Sequence, residues 1–450
     1  MNVRGKKVTL VGMGRTSVSL ARLLLREGAA PFVTDANSGP AIDALAKELD
    51  ALAVPYETGG HSEEAFRNAA LVVPSPGVPS TLGPIRRARA TGAEVVSELE
   101  FASGYCQSKT LAVTGTNGKT TATELLRCLV AACGHEVILA GNNNTPFSTA
   151  VMADPAPAYI VLEISSYQLE LIRTFRPWIA TVLNVTPDHL ARHGTMEGYA
   201  AAKGRIFENQ RRGDVAVVNL DDPYTRAMPV PADAAVWHYS LDQRVDRGLW
   251  LQGDAICLCE LHVADVSDTL LPGRHNLQNV LAALTMMYAG GFDWDDTLAG
   301  LRTFRGVEHR IEHVMTVAGV DFVNDSKSTN IDSLRVALES FAKPVTLIAG
   351  GRGKGADYRV LRDLVQRHVR HLVVIGEDTP LLEAAFGDIV AHTRAQSMDK
   401  AVRLAAQATA PGGAVLLSPA CASFDMFDNF EHRGRVFKEC VRQYAEGAQP

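Results

Sequence analysis

Leu111-Ala-Val-Thr-Gly-Thr-Asn-Gly-Lys-Thr-Thr121 is a short apolar run that enters a loop bracketed by glycines and closed by a lysine and two threonines. Few folds accept such a segment. It demands a buried strand, a tight turn and a helix that starts at once, which is one unit of an α/β sheet. A helix beginning there leaves backbone N–H groups unpaired, and the glycines Gly115 and Gly118 let that backbone approach an anion. Lys119 adds a point charge and Thr120 a hydroxyl suited to Mg²⁺. The competing description is an ordinary turn that happens to contain Gly-Lys-Thr. The standard phosphate loop places its first glycine where Val113 stands, so a loop built on Gly115 is a shortened one. On these residues the expected ligand is a nucleoside triphosphate.

The same strand-turn-helix rhythm runs through most of the chain, the pattern of parallel sheets covered by helices. Three blocks emerge. The first holds strands over Lys7–Val11, Pro31–Asp35 and Ala70–Pro74, a glycine turn Gly12-Met-Gly-Arg-Thr-Ser17 and a helix from Val18 to Arg26. The second starts near Ser97, where Glu98-Leu-Glu-Phe leads to the phosphate-loop strand, and adds strands over Tyr159–Ile164, Ile179–Val185 and Asp214–Asn219. The third starts near Val307, with strands over Val320–Asn324, Val345–Ala349, His371–Ile375 and Ala414–Ser418. The expected fold class is therefore α/β in three domains, at 1–97, 98–306 and 307–450: a Rossmann-like first domain, a central phosphate-loop domain and a Rossmann-like last domain.

With 450 residues, 46% of them hydrophobic, the chain has material for several packed cores. A net charge of -6 gives no basic excess, which excludes nucleic acid as the main partner. Met-Asn-Val-Arg-Gly-Lys-Lys leads straight into a strand, and no apolar run reaches the roughly 18 residues of a membrane span. A cytoplasmic monomer with no membrane insertion is expected. The 7 cysteines are scattered without a Cys-x-x-Cys pair, as reduced structural residues are.

In the first block Asp35 stands about 20 residues past the glycine turn, where dinucleotide folds put a ribose-binding acid. Ser17 replaces the third glycine of that pattern, so a nucleoside diphosphate group suits the turn better than a nicotinamide or flavin coenzyme. A tight turn with Asp35 capping the next segment would look the same in sequence. In the second block Glu163 ends an apolar strand and His189 closes Asn184-Val-Thr-Pro-Asp-His189 after the next. Both belong at the carboxyl edge of the sheet, where α/β sheets bind ligands, and with Thr120 they can hold Mg²⁺. Each taken alone could equally be a capping acid or a satisfied turn histidine. Lys203, in the helical stretch Tyr199-Ala-Ala-Ala-Lys-Gly-Arg-Ile-Phe207, reads on its own as a solvated surface cation.

Thr114-Gly-Thr-Asn-Gly-Lys-Thr120, Glu163-Ile-Ser-Ser, Asn184 to His189, Ala201-Ala-Lys203, His275-Asn276, Glu308-His-Arg310, Asn324-Asp-Ser-Lys327 and Ser418-Pro-Ala-Cys-Ala-Ser423 together resemble the Mur ligases of peptidoglycan synthesis over nearly the whole chain. Asn324 to Asn330 and Ser418 to Gly434 are most similar to the members that add D-glutamate to UDP-N-acetylmuramoyl-L-alanine, and the Asp-Asn-Pro-Arg signature of the diaminopimelate-adding members is missing. The resemblance implies an ATP-dependent ligase. It assigns Gly115, Thr116, Asn117, Gly118, Lys119, Thr120 and Thr121 to the phosphates of ATP, and Asn276, Asn279, Arg310, Asp325 and Lys327 to its remaining parts and the reacting phosphate. Thr120 and Glu163 would serve one Mg²⁺; His189 and Lys203 would serve a second, Lys203 as a carbamate formed with CO₂. Lys119, Glu163, His189 and Lys203 are the implied catalytic set. Arg15, Thr16, Asp35, Ser75 and Gly77 would take the UDP part, Asn142 and His189 the sugar-peptide end, and Thr329, Lys354, Ser423, Phe424 and Phe430 the glutamate. The implied chemistry is phosphorylation of a carboxylate followed by attack of an amine, assembled by closure between domains.

Two positions depart from the family pattern. Asn143, Asn144 and Thr145 precede Pro146 where the family has an apolar residue, a glycine and a variable one, and Ala191 replaces an aspartate two residues after His189. Three rival readings make different demands. A folylpolyglutamate synthetase would need no UDP-binding first block, so binding of UDP or folate separates the two. A nicotinamide-dependent dehydrogenase would leave Gly115 to Thr121 idle, and a scaffold would bind ATP without turnover.

Overall fold

The computed structural model describes residues 1–142, 145–271, 273–341, 343–353 and 355–447. These form two compact units, Met1–Phe304 and Arg305–Pro450. The first unit carries two sheets. Its first sheet contains β1 (Lys7–Val11), β2 (Ala30–Thr34), β3 (Tyr56–Glu57), β4 (Ala69–Pro74) and β5 (Glu94–Val95), ordered β3-β2-β1-β4-β5 and parallel throughout. Chain connections leave β1 toward β2 and return to β4 on its other side. The carboxyl ends of β1 and β4 thus flank a crevice; Arg15 and Thr16 open the helix after β1, and Ser75 and Gly77 lie in the turn after β4.

The second sheet contains β6 (Lys109–Thr114), β7 (Val137–Gly141), β8 (Tyr159–Glu163), β9 (Ile179–Val182), β10 (Val215–Asn219), β11 (Ala235–Ser240), β12 (Gly248–Gln252), β13 (Ala255–Leu258) and β14 (Leu261–Asp265), in the order β14-β13-β12-β11-β10-β9-β6-β8-β7. β13 and β14 run antiparallel at one edge; the other strands are parallel. β6 is buried from Thr110 to Thr114, as an apolar strand covered on both faces must be. From β6 the chain turns toward β7 and β8, and from β9 toward β10. The loops after β6 and β9 therefore stand side by side at a switch point.

Between the two sheets lies the helix Glu98–Ser103, capped by Ser97, whose Oγ accepts the Glu100 N–H. Its Leu99, Phe101 and Ala102 belong to one core shared by Val8, Leu10 and Val73 of the first sheet and by Ala112, Ile160 and Ala216 of the second. Two buried carboxylates fasten it. Glu98 accepts the Ser148 N–H at 2.6 Å, and Glu100 accepts N–H groups of Arg173, Thr174 and Phe175 at 2.8–3.0 Å and the Thr174 hydroxyl at 2.6 Å. Burial pushes the Glu98 carboxyl up, whereas the hydroxyl and backbone donors around Glu100 outweigh its desolvation and hold its carboxyl low.

The second unit contains β15 (Glu312–Val317), β16 (Val320–Asn324), β17 (Val345–Gly350), β18 (Val369–Ile375), β19 (Ala391–Arg394) and β20 (Ala414–Leu417), ordered β15-β16-β20-β17-β18-β19. β15 is antiparallel to β16, and the rest are parallel. The loops after β16, β20 and β17 emerge on one edge. No helix among the described residues is long and apolar enough to cross a membrane.

Candidate functional site

Gly118 makes the phosphate loop possible. It adopts φ +84° just before the helix Lys119–Ala132, and a Cβ there would stand 2.2 Å from Asn279 Oδ1. Asn279 in turn donates from Nδ2 to Asn276 Oδ1 at 3.4 Å, so the helix Arg274–Ala289 backs the loop with Asn279, braced by Asn276. The β9 loop holds it from the other side. Asn184 accepts the Asn117 N–H at 2.9 Å and donates to Asn117 O at 3.2 Å, while its own carbonyl accepts the Thr116 N–H at 3.0 Å. The Thr186 N–H donates to Thr116 Oγ1 at 3.0 Å. Neither Gly118 nor the first turn of the helix supplies a capping side chain or an acid, so Lys119, Thr120 and Thr121 open a helix end suited to an anion.

Two lysine amines converge on this loop. Lys119 Nζ donates to Gly115 O at 2.9 Å and Thr116 O at 2.8 Å, and Lys203 Nζ reaches the same Gly115 O at 2.8 Å. Lys203 is 1% exposed, which corrects its reading as a solvated surface cation. Burial first, and the Lys119 charge second, push its amine well below the usual lysine range, with Asp188 offsetting part of the shift. The helix Met196–Gly204 puts Tyr199 one turn before Lys203, and the amine sits 4.4 Å from the ring centroid. Tyr199 also accepts from Thr116 Oγ1 at 3.4 Å and meets the His189 ring at 6.1 Å. Burial raises its phenol to about 12, keeping it neutral. Tyr199 is the residue that sequence reasoning missed here; its signal was the four-residue spacing to Lys203.

Glu163 ends β8 between β6 and β7, opposite Val113 and Gly141. Its Oε1 accepts from Asn142 Nδ2 at 3.1 Å, and its backbone carbonyl accepts the Asn142 N–H at 2.7 Å. Oε2 is buried without a hydrogen-bond partner. A buried, unpaired carboxylate oxygen is costly and invites a cation. His189 takes φ +54° at the start of the short helix Leu190–His193, with its ring 5.0 Å from that of Tyr167. Its carboxylate neighbour is Asp188, which accepts the His189 N–H at 2.8 Å and stands 3.4 Å from Nε2. Asn143 and Asn144 lie outside the described residues; Thr145 O accepts the Gly141 N–H at 2.8 Å across them. No group of three or more His, Cys, Asp or Glu side chains poised for a metal occurs among the described residues.

At the edge of the first sheet, Asp35 accepts the Met13 N–H at 2.5 Å and the Asn37 N–H at 2.7 Å. Gly12 O takes hydroxyls from Ser17 and, at 3.1 Å, from Ser75, and Gly12 itself needs φ +95°. This turn opens the helix Arg15–Arg26, so Arg15 and Thr16 belong to its first turn. The helix begins ahead of the expected Val18 because Gly14 is already extended at the cap.

In the second unit Asp325 follows β16 and is buried, accepting the Ser418 hydroxyl at 2.8 Å and the Ile311 N–H at 3.2 Å. Desolvation pushes its carboxyl up to about 7, against the pull of Ser418, Arg310 and Ile311. Arg310 Nε and Ser328 Oγ are buried without hydrogen-bond partners. The Lys327 N–H donates to His309 O at 3.0 Å, and its ammonium stands 6.0 Å from the Phe430 ring. Ser423 is buried and its carbonyl accepts the Phe427 N–H at 2.8 Å, whereas Phe424 is exposed. Thr329 is half-buried, and Lys354 lies outside the described residues.

Because the Asp325 carboxyl holds its proton more tightly folded than unfolded, its contribution to stability is complete below pH 3.8 and is lost as pH rises through about 7. An amide at this position never ionises. The unfolding midpoint of Asp325→Asn is therefore expected to gain on that of the natural chain between pH 4 and pH 8, measured without nucleotide. A difference that stays constant with pH would contradict the assigned burial effect.

A shortened phosphate loop at a sheet switch point, backed by Asn279 and faced by a buried lysine, defines a nucleotide-binding α/β protein. Comparison with known proteins narrows that class. Residues 6–97 match the MurD-like N-terminal domain of Mur ligases, residues 113–287 the Mur ligase middle domain, and residues 309–421 the Mur ligase glutamate ligase domain. A "UDP-N-acetylmuramoylalanine--D-glutamate ligase" of Koribacter versatilis is 42% identical over 451 residues, 99% of each chain, and one of Geotalea uraniireducens is 42% identical over 451 residues, 100% of each. Among solved structures, UDP-N-acetylmuramate-alanine ligase MurC of Thermotoga maritima gives a TM-score of 0.60 at 17% identity, covering 97% of this chain and 99% of that one. MurF ligase of Thermotoga maritima in complex with ADP gives 0.56 at 18%, covering 92% and 96%. The last two share the fold. The chain belongs to the Mur ligase family.

Proposed function

We propose that the protein joins D-glutamate to UDP-N-acetylmuramoyl-L-alanine, with ATP converted to ADP and phosphate, as a cytoplasmic monomer in peptidoglycan precursor synthesis. Full-length similarity to ligases of that name supports the reaction. The observation that carries the site is the convergence of Lys119 and Lys203 on Gly115 O beside the open helix end. In this reading residues 1–97 hold the UDP part, 98–306 the ATP and 307–450 the glutamate.

The chemistry answers a simple difficulty. A carboxylate resists an amine because oxide is a poor leaving group. An oxygen of the terminal carboxylate attacks the γ-phosphorus of ATP, the bond to ADP breaks, and the acyl phosphate that results has phosphate as leaving group. The glutamate amine then adds to the acyl carbon, loses a proton, and the tetrahedral adduct collapses to the amide and phosphate. Two anions must meet in the first step. Lys119 and the N–H groups of the loop neutralise the phosphates, so the residues act by placement and charge.

The donor set fits Mg²⁺. Glu163 Oε2 is a buried oxygen lacking a partner, and Mg²⁺ keeps waters and substrate phosphates as ligands, so that one or two protein oxygens suffice to hold it. Thr120 and Glu163 would hold one ion, and His189 and Lys203 a second. Bound there, Mg²⁺ would neutralise charge shared by the phosphates and the carboxylate. For Lys203 to be a ligand its amine must first add CO₂ and release a proton to become a carbamate, which needs a neutral amine. The burial that depresses its basicity supplies that form. Arg15, Thr16, Asp35, Ser75 and Gly77 would engage the uridine diphosphate, Asn142 the sugar-peptide end, and Asn276, Asn279, Arg310, Asp325 and Lys327 the rest of ATP and the reacting phosphate. Thr329, Lys354, Ser423, Phe424 and Phe430 would hold glutamate, for whose two carboxylates a cation and hydroxyls are suited.

The test is phosphate release from ATP with UDP-N-acetylmuramoyl-L-alanine and, in separate reactions, D-glutamate, L-glutamate, glycine or diaminopimelate. Release with D-glutamate well above the others is expected. Release with none of them would overturn the reaction, and equal release with all would overturn the amino-acid assignment.

A further inference from the structure

Arg433 has been given no role so far, yet it is among the largest fully buried side chains of the described residues, at 0% exposure. It sits in the first turns of the helix Phe430–Gly447. Its Nε donates to Ser326 Oγ at 3.0 Å, one terminal nitrogen to Ser326 O at 2.8 Å, and the other to Cys421 O at 3.0 Å. Ser326 Oγ donates onward to Phe430 O at 2.8 Å. Ser326 lies between Asp325 and Lys327 after β16, and Cys421 lies two residues before Ser423 after β20. A third loop is tied in through the second. Arg352, after β17, exchanges both backbone hydrogen bonds with Ala422, at 2.9 and 3.0 Å. A Cβ on neighbouring Gly351 would come within 3.3 Å of the guanidinium.

Burying a guanidinium is costly, and a helix that only needed a plug would be served better by an apolar side chain. What this fork provides is a fixed spacing between a hydroxyl and two carbonyls on separate loops, a geometry that a point-charge ammonium does not reproduce. Resting on the substrate reading above, we infer that Arg433 is a positioning residue for the amino-acid pocket: it sets the spacing of the Ser326–Lys327 and Cys421–Ser423 loops, which lead to Thr329 and Ser423 of that pocket, and through Ala422 that of the Arg352 loop.

The full-length enzyme carrying Arg433→Lys or Arg433→Met tests this. KM for D-glutamate is expected to rise about tenfold or more in both, and by more than KM for ATP. Amide hydrogen exchange over residues 324–328, 350–353 and 421–427 should quicken in the unliganded variants, with the strands of the same unit unchanged. Ser326→Ala, which removes one acceptor without emptying the core, should shift KM for D-glutamate in the same direction by less. That variant keeps the proposal open to refutation should the other two fail to fold. Unchanged KM for D-glutamate with merely a smaller active fraction would make Arg433 a core residue and overturn the inference. A natural enzyme that releases no phosphate with D-glutamate fails the substrate reading instead. The exchange measurement, made without substrate, still decides whether Arg433 spaces the loops.

Discussion

Replacing Lys203 by alanine is expected to lower phosphate release by on the order of a thousandfold, and short carboxylic acids such as formate or acetate are expected to restore part of it. The amine is 1% exposed and shares Gly115 O with Lys119. As an ammonium it would only repel a metal ion; neutral, it can take up CO₂ and become an oxygen donor. Alanine deletes that donor and leaves space beside the loop which a small carboxylate can enter. Lys203→Arg keeps a long cation but cannot become neutral, so it should be as inactive as the alanine variant and gain nothing from CO₂. Full activity of Lys203→Ala, or equal activity of Lys203→Arg, would remove the carbamate from the mechanism.

Glu163→Gln is expected to abolish turnover to a similar degree while leaving the fold as stable or more so. Its Oε1 already accepts from Asn142 Nδ2 at 3.1 Å, and an amide oxygen keeps that bond. Its Oε2 is buried and unpaired, and a neutral amide there is less costly than a carboxylate. Opposite signs for activity and stability mark a group maintained for function rather than for the fold. The measurement is a thermal midpoint beside the phosphate-release assay, both without and with Mg²⁺. A lowered midpoint together with retained activity would make Glu163 a structural cap. Added Mg²⁺ should raise the midpoint of the natural chain more than that of the variant.

Periodicity and turn chemistry made much of this fold legible. β1, β16 and the strands at Tyr159, Ile179 and Val345 stand where apolar runs put them, because strands buried on both faces must be apolar. Their ends were harder to place. The run from Ile179 to Val185 is buried except at half-buried Asn184, but the strand ends at Val182, and the Val185 N–H goes to Asp222 Oδ2 at 2.9 Å instead of a neighbouring strand. Glu98-Leu-Glu-Phe reads as a lead-in to a strand, yet Ser97 caps it into a helix; the serine three residues before Glu100 carried that signal. The first turn of Arg15–Arg26 escaped because a helix facing a crevice is polar where it begins. Half-buried strands such as Ala235–Ser240 carry little alternation and were silent.

Within the candidate site, the loop, Glu163 and the β9 turn could be placed at one sheet edge from order alone. Whether Lys203 faced solvent or core could not, since a lone lysine among alanines fits either side of a helix. Arg433 is a sharper case. It lies in the polar run Glu431-His-Arg-Gly434, and its burial depends on carbonyls contributed by residues far away in the chain, which no local pattern encodes.

The helix Glu98–Ser103 has a thermodynamic consequence. Its apolar face belongs to a core built from both sheets of the first unit, and Glu98 and Glu100 pin loops of the second sheet. Two sheets that share a core are coupled in stability, because loss of either exposes apolar surface of the other. A uridine nucleotide held on the first sheet would then firm up the phosphate loop on the second, and occupancy by either substrate would lower the ordering cost met by the other.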